Sequence, residues 1–283
     1  MTGGLSMRAE VARALGSLAI AVPELVCVSA DGQFIFKDFI NQAPTRHVDV
    51  GIAEATLVGV AAGIARCGRP VVISSIASFL LRRAYEQIVV DVAMDRLPVV
   101  MLGLGGGLAY GALGATHHVP EDFALARLAP GVNVFAPADA PSAAEALRLA
   151  VGLRQPAYIR IGSAEDPLLP PCHAAAGLRP RMLRDGDDIT VVASGACVHE
   201  ALAAAADLAV HGVGARVLDV MCLHPWPDHE LRGLLLAGRP VLVVEEHVRD
   251  GGLGTLVGDH LAGEPFTGFA RCLVPGFDGL DRR

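Results

Sequence analysis

Short runs rich in valine and isoleucine alternate along this chain with alanine-rich helical stretches. The runs are nearly continuous in apolar residues, as expected of strands that are buried on both faces of a sheet. Strands that alternate with helices form parallel sheets covered by helices, so the predicted fold class is α/β with three-layer, parallel-sheet architecture. In the first part of the chain the predicted strands are ELVCVSA, RHVDV, PVVISS, LPVVMLGL, VNVFAP and PAYIRI, and the predicted helices span 7–19, 53–66, 80–95, 120–128 and 139–153.

A proline-dense segment without periodicity, GSAEDPLLPPCHAAAGLRP, follows the last of these strands and is the best linker candidate. A second alternation comes after it: DITVVASG, a helix at 196–210, ARVLDV, PVLVVEEH, a helix from about residue 252, and FARCLV. The length of 283 residues suits two compact domains. We therefore predict a first domain at 1–164, a linker at 165–179 and a second domain at 180–283.

Composition narrows the possible partners. Apolar residues make up 52% of the chain and charged residues only 19%, which indicates that much of the surface meets other protein. The formal charge of −7, with no basic stripe, argues against nucleic acid as a partner. No apolar run is long enough to span a membrane, and the first residues lack the charged-then-apolar order of a signal peptide. The six cysteines form no CxxC pair, which favours reduced thiols and a cytoplasmic protein.

The segment GIAEATLVGVAAGIA contains a single charged residue, Glu54. A helix that is apolar on every face expects burial on every face. A lone carboxylate in such surroundings costs several kcal/mol unless something pairs with it. Either Glu54 lies at the exposed mouth of its helix, stabilised by the helix dipole, or it has a dedicated partner.

Three further segments combine polar or aromatic side chains with predicted element ends: SFLLRRAYEQIVVDVA, GALGATHHVPEDFALAR and AYIRIGS. Ligands of open α/β sheets bind beyond the carboxyl ends of the strands, where each of these segments begins or ends. None of the common short catalytic or phosphate-binding motifs assigns a function to these segments. The chain contains no GxxxxGK[ST] phosphate loop, no GxSxG elbow and no HExxH, and the run GLGGGLAYG does not fit GxGxxG.

The order of the motifs is nevertheless specific. VDVGIAEATLVGVAAGIA, ASFLLRRAYEQIVVDVAMDRLPVV, GATHHVPEDFALAR, VNVFAPADA and AYIRIG resemble the pyrimidine-binding domain of thiamine-diphosphate-dependent transketolases. VVASGACVHEALAAA and VVEEHVRDGGLG resemble the C-terminal domain of the same family. The resemblance runs over nearly the whole chain and is best to the C-terminal half of the split type, which is made as a separate subunit.

This resemblance implies a role for individual residues. Glu54 matches the glutamate that hydrogen-bonds N1′ of the cofactor's aminopyrimidine ring and so activates the cofactor. Phe79 matches the aromatic side chain that stacks on that ring, and Ile52 and Tyr85 are further cofactor-binding candidates. The substrate-binding candidates are His117, which is also a catalytic candidate, His118, Arg160 and Asp31. The tempting cluster Glu245, Glu246 and His247 is interpreted as a strand end and domain contact, because the second domain holds no cofactor in this family.

Two departures from the family pattern concern the substrate. Leu113 stands where many transketolases have an aspartate that meets a substrate hydroxyl, four residues before His117. The segment after VSAD reads GQFIF and lacks the serine or threonine that approaches the substrate phosphate. Because loss of a hydrogen-bond partner selects against substrates that need it, a less hydroxylated or unphosphorylated acceptor of specialised metabolism is expected.

The resemblance also implies a missing half. The family holds the diphosphate and its Mg²⁺ on another domain, marked by GDG and a distant asparagine, and neither ADGQ nor RDGDD has that context. We therefore expect an N-terminal diphosphate-binding subunit as partner, thiamine diphosphate shared at the interface, Mg²⁺ bound mainly by the partner, and an α2β2 assembly. This chain itself is expected to hold no metal.

The implied reaction transfers a two-carbon ketol unit from a ketose donor to an aldehyde acceptor. Two alternatives remain open from the sequence. One is the β subunit of a 2-oxo acid decarboxylase or dehydrogenase, which has the same layout and the same glutamate. The other is a regulatory homologue that kept the fold and lost the chemistry.

Overall fold

The computed structural model describes residues 5–162, 165–170, 178–235, 238–262 and 268–273. Its first part alternates short strands with helices, as the apolar runs predict. The strands are β1 (Leu5–Ser6), β2 (Val26–Ser29), β3 (His47–Asp49), β4 (Val71–Ile76), β5 (Val99–Leu104), β6 (Asn133–Phe135), β7 (Ala157–Ile161) and β8 (Glu165–Asp166). The helices are α1 (Met7–Ala21), α2 (Lys37–Gln42), α3 (Glu54–Arg66), α4 (Ala77–Arg83), α5 (Tyr85–Gln87), α6 (Asp122–Leu128) and α7 (Ala140–Leu153), with a π-helical segment at Ile88–Ala93 and 3₁₀ turns at Gln33–Phe36, Pro44–Arg46 and Gly111–Leu113.

The second part repeats this alternation on a smaller scale. Its strands are β9 (Arg181–Arg184), β10 (Ile189–Ala193), β11 (Ala215–Asp219), β12 (Cys222–His224), β13 (Val241–Val244) and β14 (Phe269–Cys272). Its helices are α8 (Cys197–Val210), α9 (Asp228–Leu235) and α10 (Leu253–Leu261).

Two main sheets are formed by the described strands. The larger has the order β12-β6-β7-β5-β4-β2-β3 and the smaller β14-β13-β10-β11-β9. All neighbours are parallel except the edge strands β12 and β9, which run antiparallel to β6 and β11. Parallel neighbours joined by helices confirm the predicted α/β class and its two sheets.

Both faces of the larger sheet are buried, which explains its continuous apolar strands. In β4, Val72 belongs to the apolar cluster of α1 and α7, whereas Val71 and Ile73 belong to the cluster of α3, α4 and α6. The second cluster continues without a break into residues of the smaller sheet such as Val192 and Leu218. The two parts of the chain therefore share one apolar core.

The strand β12 belongs to the second predicted domain but completes the sheet of the first. Cys222 pairs with Phe135 and His224 with Val134 of β6. The sequence predicts two separate sheets and gives no sign of this exchange, because three residues before a proline carry no strand signal.

Two other sequence predictions differ from the structure. The helix predicted at 80–95 is divided into α4, α5 and the π-helical segment. The predicted linker begins with β8, which pairs antiparallel with β1. Residues 171–177 of that linker, the first four residues and the last ten lie outside the described residues. Among the described residues no helix has both the length and the apolar character needed to cross a bilayer.

Candidate active site

The main cavity lies at the carboxyl edge of the larger sheet. It has a volume of about 290 Å³ and opens beyond the ends of β2, β4 and β5. This is the position at which open parallel sheets bind ligands. Its lining residues are Arg8, Ala30, Asp31, Gly32, Phe34, Ile52, Glu54, Ser74, Ser75, Ile76, Phe79, Leu104 and Tyr110.

Glu54 is the first residue of α3 and is 5% exposed, on the wall of this cavity. The start of a helix favours a negative charge, and Arg83 adds an ion pair with 3.3 Å between Nη1 and the Glu54 Oε2. Glu54 is therefore not at an exposed helix mouth, but buried at the helix start with one ion-pair partner. Because the Arg83 side chain is 52% exposed and the contact is long, this pair offsets only part of the cost of burial.

An aromatic group stands beside the glutamate. The Phe79 ring lines the cavity, with the Arg83 guanidinium carbon 4.0 Å from its centroid. The His117 ring lies 5.0 Å from Phe79 at an interplanar angle of 60°. Tyr110 meets the same imidazole edge-on at 6.1 Å. The backbone before His117 is fixed by the Ser78 hydroxyl, which donates to the Thr116 carbonyl at 3.2 Å.

Arg8 is a cavity residue that the sequence analysis misses. Its Nη2 donates to the Tyr110 hydroxyl at 2.7 Å, and its Nε donates to the Gly162 carbonyl at 3.2 Å. The guanidinium carbon also lies 5.8 Å from the Phe34 ring centroid. One arginine near the start of α1 gives no signal in the sequence, because its hydrogen-bond partners are more than 100 positions away.

The structure brings four of the predicted site residues to the cavity wall. Glu54 and Phe79 both line it, and each contacts Arg83. Asp31 also lines the cavity and has a left-handed backbone, with φ of 60°. Ile52 lies at the mouth, where it is 76% exposed.

Tyr85 does not line this cavity, and its cofactor contact stays a prediction. Its hydroxyl donates to the Leu125 carbonyl of α6 at 3.0 Å, and burial raises the pKa of the phenol. Tyr85 follows the break at Ala84, which ends α4 and interrupts the predicted helix. Tyr85 thus joins α5 to α6.

His117 and His118 lie on the loop beside the cavity rather than among its lining residues. The Thr116 hydroxyl is 2.9 Å from the His117 Nδ1. The His118 amide donates to the Gly114 carbonyl at 3.3 Å, and its Nε2 is buried without a hydrogen-bond partner in the described structure.

Arg160 faces a second cavity, of about 240 Å³, between the two parts of the chain. It is 8% exposed, and its guanidinium forms two hydrogen bonds with the Asp122 carboxylate, of which the one from Nε is 2.8 Å long. Nη1 lies 3.3 Å from a Glu246 carboxylate oxygen. Burial lowers the pKa of Arg160, but Asp122 and Glu246 outweigh this and raise it overall. The predicted phosphate-binding arginine is thus already held by two carboxylates.

The cluster that follows β13 forms a domain contact, in agreement with its sequence-based interpretation. The Glu245 carboxylate accepts from the Gly254 amide at 2.8 Å, at the start of α10. Burial raises the pKa of Glu245. The His247 ring stacks on Phe123 of α6 with centroids 5.7 Å apart. Burial also lowers the pKa of His247.

Comparison with known protein families identifies the family of this chain. The family model described as "Transketolase, pyrimidine binding domain" matches residues 3–165, and "Transketolase, C-terminal domain" matches residues 179–273. The chain belongs to the transketolase family. The two matched ranges leave out most of the predicted linker, although the predicted domain boundaries themselves stay predictions.

The transketolase relatives include separate subunits of similar length. The chain is 36% identical over 266 residues to one of the subunits of apulose-4-phosphate transketolase from Phocaeicola vulgatus, covering 92% of this chain and 85% of that protein. It is 34% identical over 226 residues to "6-deoxy-6-sulfo-D-fructose transketolase subunit SqwH" of a Clostridium species, covering 80% and 70%. A solved structure titled "Split gene transketolase, inactive beta4 tetramer" matches with a TM-score of 0.86 and 32% identity, covering 96% of this chain and 90% of that one.

These matches place the chain with the C-terminal subunits of split, thiamine-diphosphate-dependent transketolases. The cavity fits the aminopyrimidine half of that cofactor, because one buried carboxylate stands on an otherwise largely apolar wall beside Phe79. A ring nitrogen needs one hydrogen-bonding partner, and the ring faces need apolar contact. Within the described residues no group of three histidine, cysteine or acidic side chains is arranged to hold a metal ion.

Proposed function

We propose that this transketolase subunit transfers a two-carbon ketol unit from a ketose donor to an aldehyde acceptor, together with a second subunit. The observation that carries the proposal is the burial of Glu54 on the cavity wall beside Phe79. A buried carboxyl group that can exchange a proton with its ligand is the feature that a purely structural helix start does not need.

Glu54 would hold the cofactor's aminopyrimidine through ring nitrogen N1′, sharing a proton at that atom. Phe79 would stack on the ring, and Ile52 would cover it at the mouth of the cavity. When bound, thiamine diphosphate supplies the nucleophilic carbon that takes up and releases the two-carbon unit. The low exposure of Glu54 supports this role, because water cannot compete for the same proton.

His117 and Arg8 would bind the substrate. The His117 imidazole stands over the edge of the cavity against Phe79 and Tyr110, where it can hold oxygens of the substrate. Arg8 brings a guanidinium to the cavity wall, and guanidinium groups bind phosphate and sulfonate with directed hydrogen bonds.

We propose Asp31 as a further substrate contact and His118 as a support of the His117 loop. We propose Arg160 as a positioning residue, in place of the phosphate contact expected from the sequence.

Arg8 and Leu113 together suggest a substrate class. Relatives of this chain are named for a phosphorylated and a sulfonated sugar, both of which are anionic. Leu113 is 55% exposed on the loop that leads to His117 and offers no hydrogen bond. We therefore propose an anionic sugar substrate that lacks the hydroxyl group an aspartate would meet at this position. Of the two expectations from the sequence, a less hydroxylated or an unphosphorylated acceptor, this proposal keeps the first.

The diphosphate and Mg²⁺ would be held by an N-terminal subunit in an α2β2 complex, located in the cytoplasm. The exposed face of α3 supports this assembly. Gly59 and Gly63 are exposed there with no neighbouring atom within 4 Å of an added Cβ. Val90 and Met94, 50% and 65% exposed, follow on the adjacent π-helical segment and its end. An apolar face next to a cavity mouth is typical of a protein interface.

Reconstitution with an N-terminal transketolase subunit tests the proposal. We expect calorimetry to detect tight thiamine diphosphate binding, in the presence of Mg²⁺, only for the mixture of the two chains. The mixture should turn over a ketose donor with an aldehyde acceptor. Carbon dioxide release from a 2-oxo acid, without ketose turnover, would assign the chain to the decarboxylase alternative. Absence of turnover with every donor would favour the regulatory alternative.

A further inference from the structure

A carboxylate from the second part of the chain holds the glycine loop, Gly105 to Tyr110, of the first part. The Leu108 amide donates to Glu246 Oε1 at 2.8 Å across the boundary between the two parts. Gly107 has φ of +65°, and a Cβ at that position would lie 2.5 Å from Glu246 Oε2. The loop approaches the carboxylate this closely because position 107 has no side chain.

The remaining contacts of the glycine loop fix its ends. The Gly105 amide donates to the Ile161 carbonyl at 2.8 Å, and the Val119 amide donates to the Gly107 carbonyl at 2.9 Å. Leu108 and Ala109 lie between Gly107 and Tyr110, and the Ala109 amide donates to the Gly106 carbonyl at 3.4 Å. The Leu108 amide is held by Glu246 alone among the hydrogen bonds described for it.

The loop ends at the substrate side of the cavity. Tyr110 lines the cavity, accepts a hydrogen bond from Arg8 and contacts the His117 ring. A shift of the backbone at Leu108 therefore moves the side chain that contacts both proposed substrate-binding residues. Small displacements of such groups reduce the rate or the affinity without unfolding the protein.

Glu246 is held in turn on its other side. Its Oε2 lies 3.3 Å from Arg160 Nη1, and Arg160 is bonded to the buried Asp122 at the start of α6. The carboxylate therefore has a fixed place at the end of β13 and is not a mobile surface charge.

We propose that Glu246 is a positioning residue of the active site, which sets the glycine loop and through it Tyr110, Arg8 and His117. The proposal rests on the proposed function. It assigns to the second domain, which contributes no residue to the main cavity among those described, a direct part in shaping the substrate site.

Two substitutions separate the amide contact from the charge. Glu246→Ala removes both, whereas Glu246→Gln keeps an oxygen for the Leu108 amide and loses the charge that faces Arg160. Glu230→Ala is the matched control, because Glu230 forms a more exposed ion pair with Arg179 in the same part of the chain.

Hydrogen–deuterium exchange of the full chain measures the loop without any catalysis. We expect Glu246→Ala to speed exchange of peptides that contain Leu108 by about tenfold or more, and Glu246→Gln and Glu230→Ala to stay near wild type. In the reconstituted pair, Glu246→Ala should raise KM for the ketose by about tenfold with thiamine diphosphate affinity within about twofold.

The outcomes are distinct. Unchanged exchange and KM in Glu246→Ala would overturn the proposal, as would equal effects of alanine and glutamine, which indicate a domain contact that acts through charge alone. Failure of the wild-type pair to turn over a ketose overturns the proposed function, while the exchange result still decides the loop contact.

A second pair of variants covers the case in which Glu246→Ala does not fold. Gly107→Ala displaces the carboxylate from the other side, and Gly212→Ala is its control, since Gly212 has φ of +77° and no atom within 4 Å of an added Cβ. Faster Leu108 exchange and a higher KM in Gly107→Ala alone are expected. Equal behaviour of the two variants contradicts the proposal.

Discussion

Glu54 is buried at the start of a helix, whereas its ion-pair partner Arg83 is half exposed. If its carboxyl group activates the cofactor, Glu54→Gln should lower kcat of the reconstituted pair by about 10²- to 10⁴-fold, because the amide cannot exchange a proton. The thermal midpoint of the chain should not fall, since the buried charge is removed and water can solvate Arg83.

Glu24→Gln is a suitable control for this prediction. Glu24 forms an ion pair with Arg154 at the surface, where both side chains are more than two-fifths exposed. Its replacement should leave kcat unchanged. Turnover of Glu54→Gln within twofold of wild type would contradict the activating role.

Asp219 makes the stability of the chain depend on pH. It is fully buried next to Arg181, whose Nε donates to its Oδ2 at 2.9 Å. Burial raises its pKa from 3.8 to about 6, although Arg181 opposes the shift. Because the folded pKa lies above the unfolded one, the folded state binds more protons between pH 4 and 6, and this contribution to stability is lost as pH rises through that window.

Asp219→Asn removes that titration. Relative to wild type, the free energy of unfolding of the variant should improve by about 2 kcal/mol between pH 4.5 and pH 7, whatever the cost of losing the charge next to Arg181. Urea unfolding of both proteins at the two pH values measures the difference. A difference that does not change with pH would show that Asp219 titrates at its ordinary value.

Among the elements, α7 begins with a capping box that also reaches the following segment. Asp139 accepts from the Ser142 amide at 3.0 Å through one oxygen and from the Leu169 amide at 3.0 Å through the other. Asp139→Ala should lower the free energy of unfolding by about 2 kcal/mol or more, because two amides lose their acceptor. Asp139→Asn keeps one acceptor oxygen, so denaturant unfolding should place it between alanine and wild type.

The helix α3 is the element that we assign to the subunit interface. Gly63→Glu should leave the chain folded, because nothing lies within 4 Å of the added Cβ and glycine is the poorer helix former. Association with the N-terminal subunit, measured by sedimentation, should weaken by about tenfold or more, since a charge would be buried in the contact. Ala203→Glu on the exposed side of α8 is the matched control, and equal association of the two variants would place the interface elsewhere.

The sequence predicts elements well where a run of apolar residues is long. The strands β2, β4 and β5 and the helices α1, α3 and α7 appear near their predicted positions because their burial is visible in the sequence. The segment after Arg83 does not form the continuous helix that the sequence predicts. A π-helical turn at Ile88–Ala93 changes the register of the side chains there, and the composition gives no sign of it. The contact of Tyr85 with α6 could not be predicted either, because the break at Ala84 that precedes it leaves no mark in the composition.

Candidate site residues can be predicted from the sequence where they lie in a local motif, and cannot where their contacts are distant along the chain. Glu54 and Phe79 are predicted because each lies in an ordered series of motifs. Arg8, Tyr110 and Glu246 act through contacts between residues that are about a hundred or more positions apart, such as the hydrogen bond from Leu108 to Glu246. No local pattern contains that information.

At the scale of the whole molecule, the shared core and β12 join the two domains into one unit. Unfolding should therefore be a single transition. Trp226, the one tryptophan of the sequence, lies in the second part, so its fluorescence and the far-UV circular dichroism signal of both parts can be followed in the same urea titration. We expect coincident midpoints, and two separated transitions would contradict the coupling.

The placement of β12 also limits how the domains of such a protein can be recombined with those of a relative. A hybrid enzyme that takes its C-terminal domain from a relative would acquire a foreign edge strand next to β6. Recombination within the linker therefore replaces one strand of the first domain's sheet. A chimera that folds must take both domains from the same parent, or keep Cys222–His224 from the parent of the first domain.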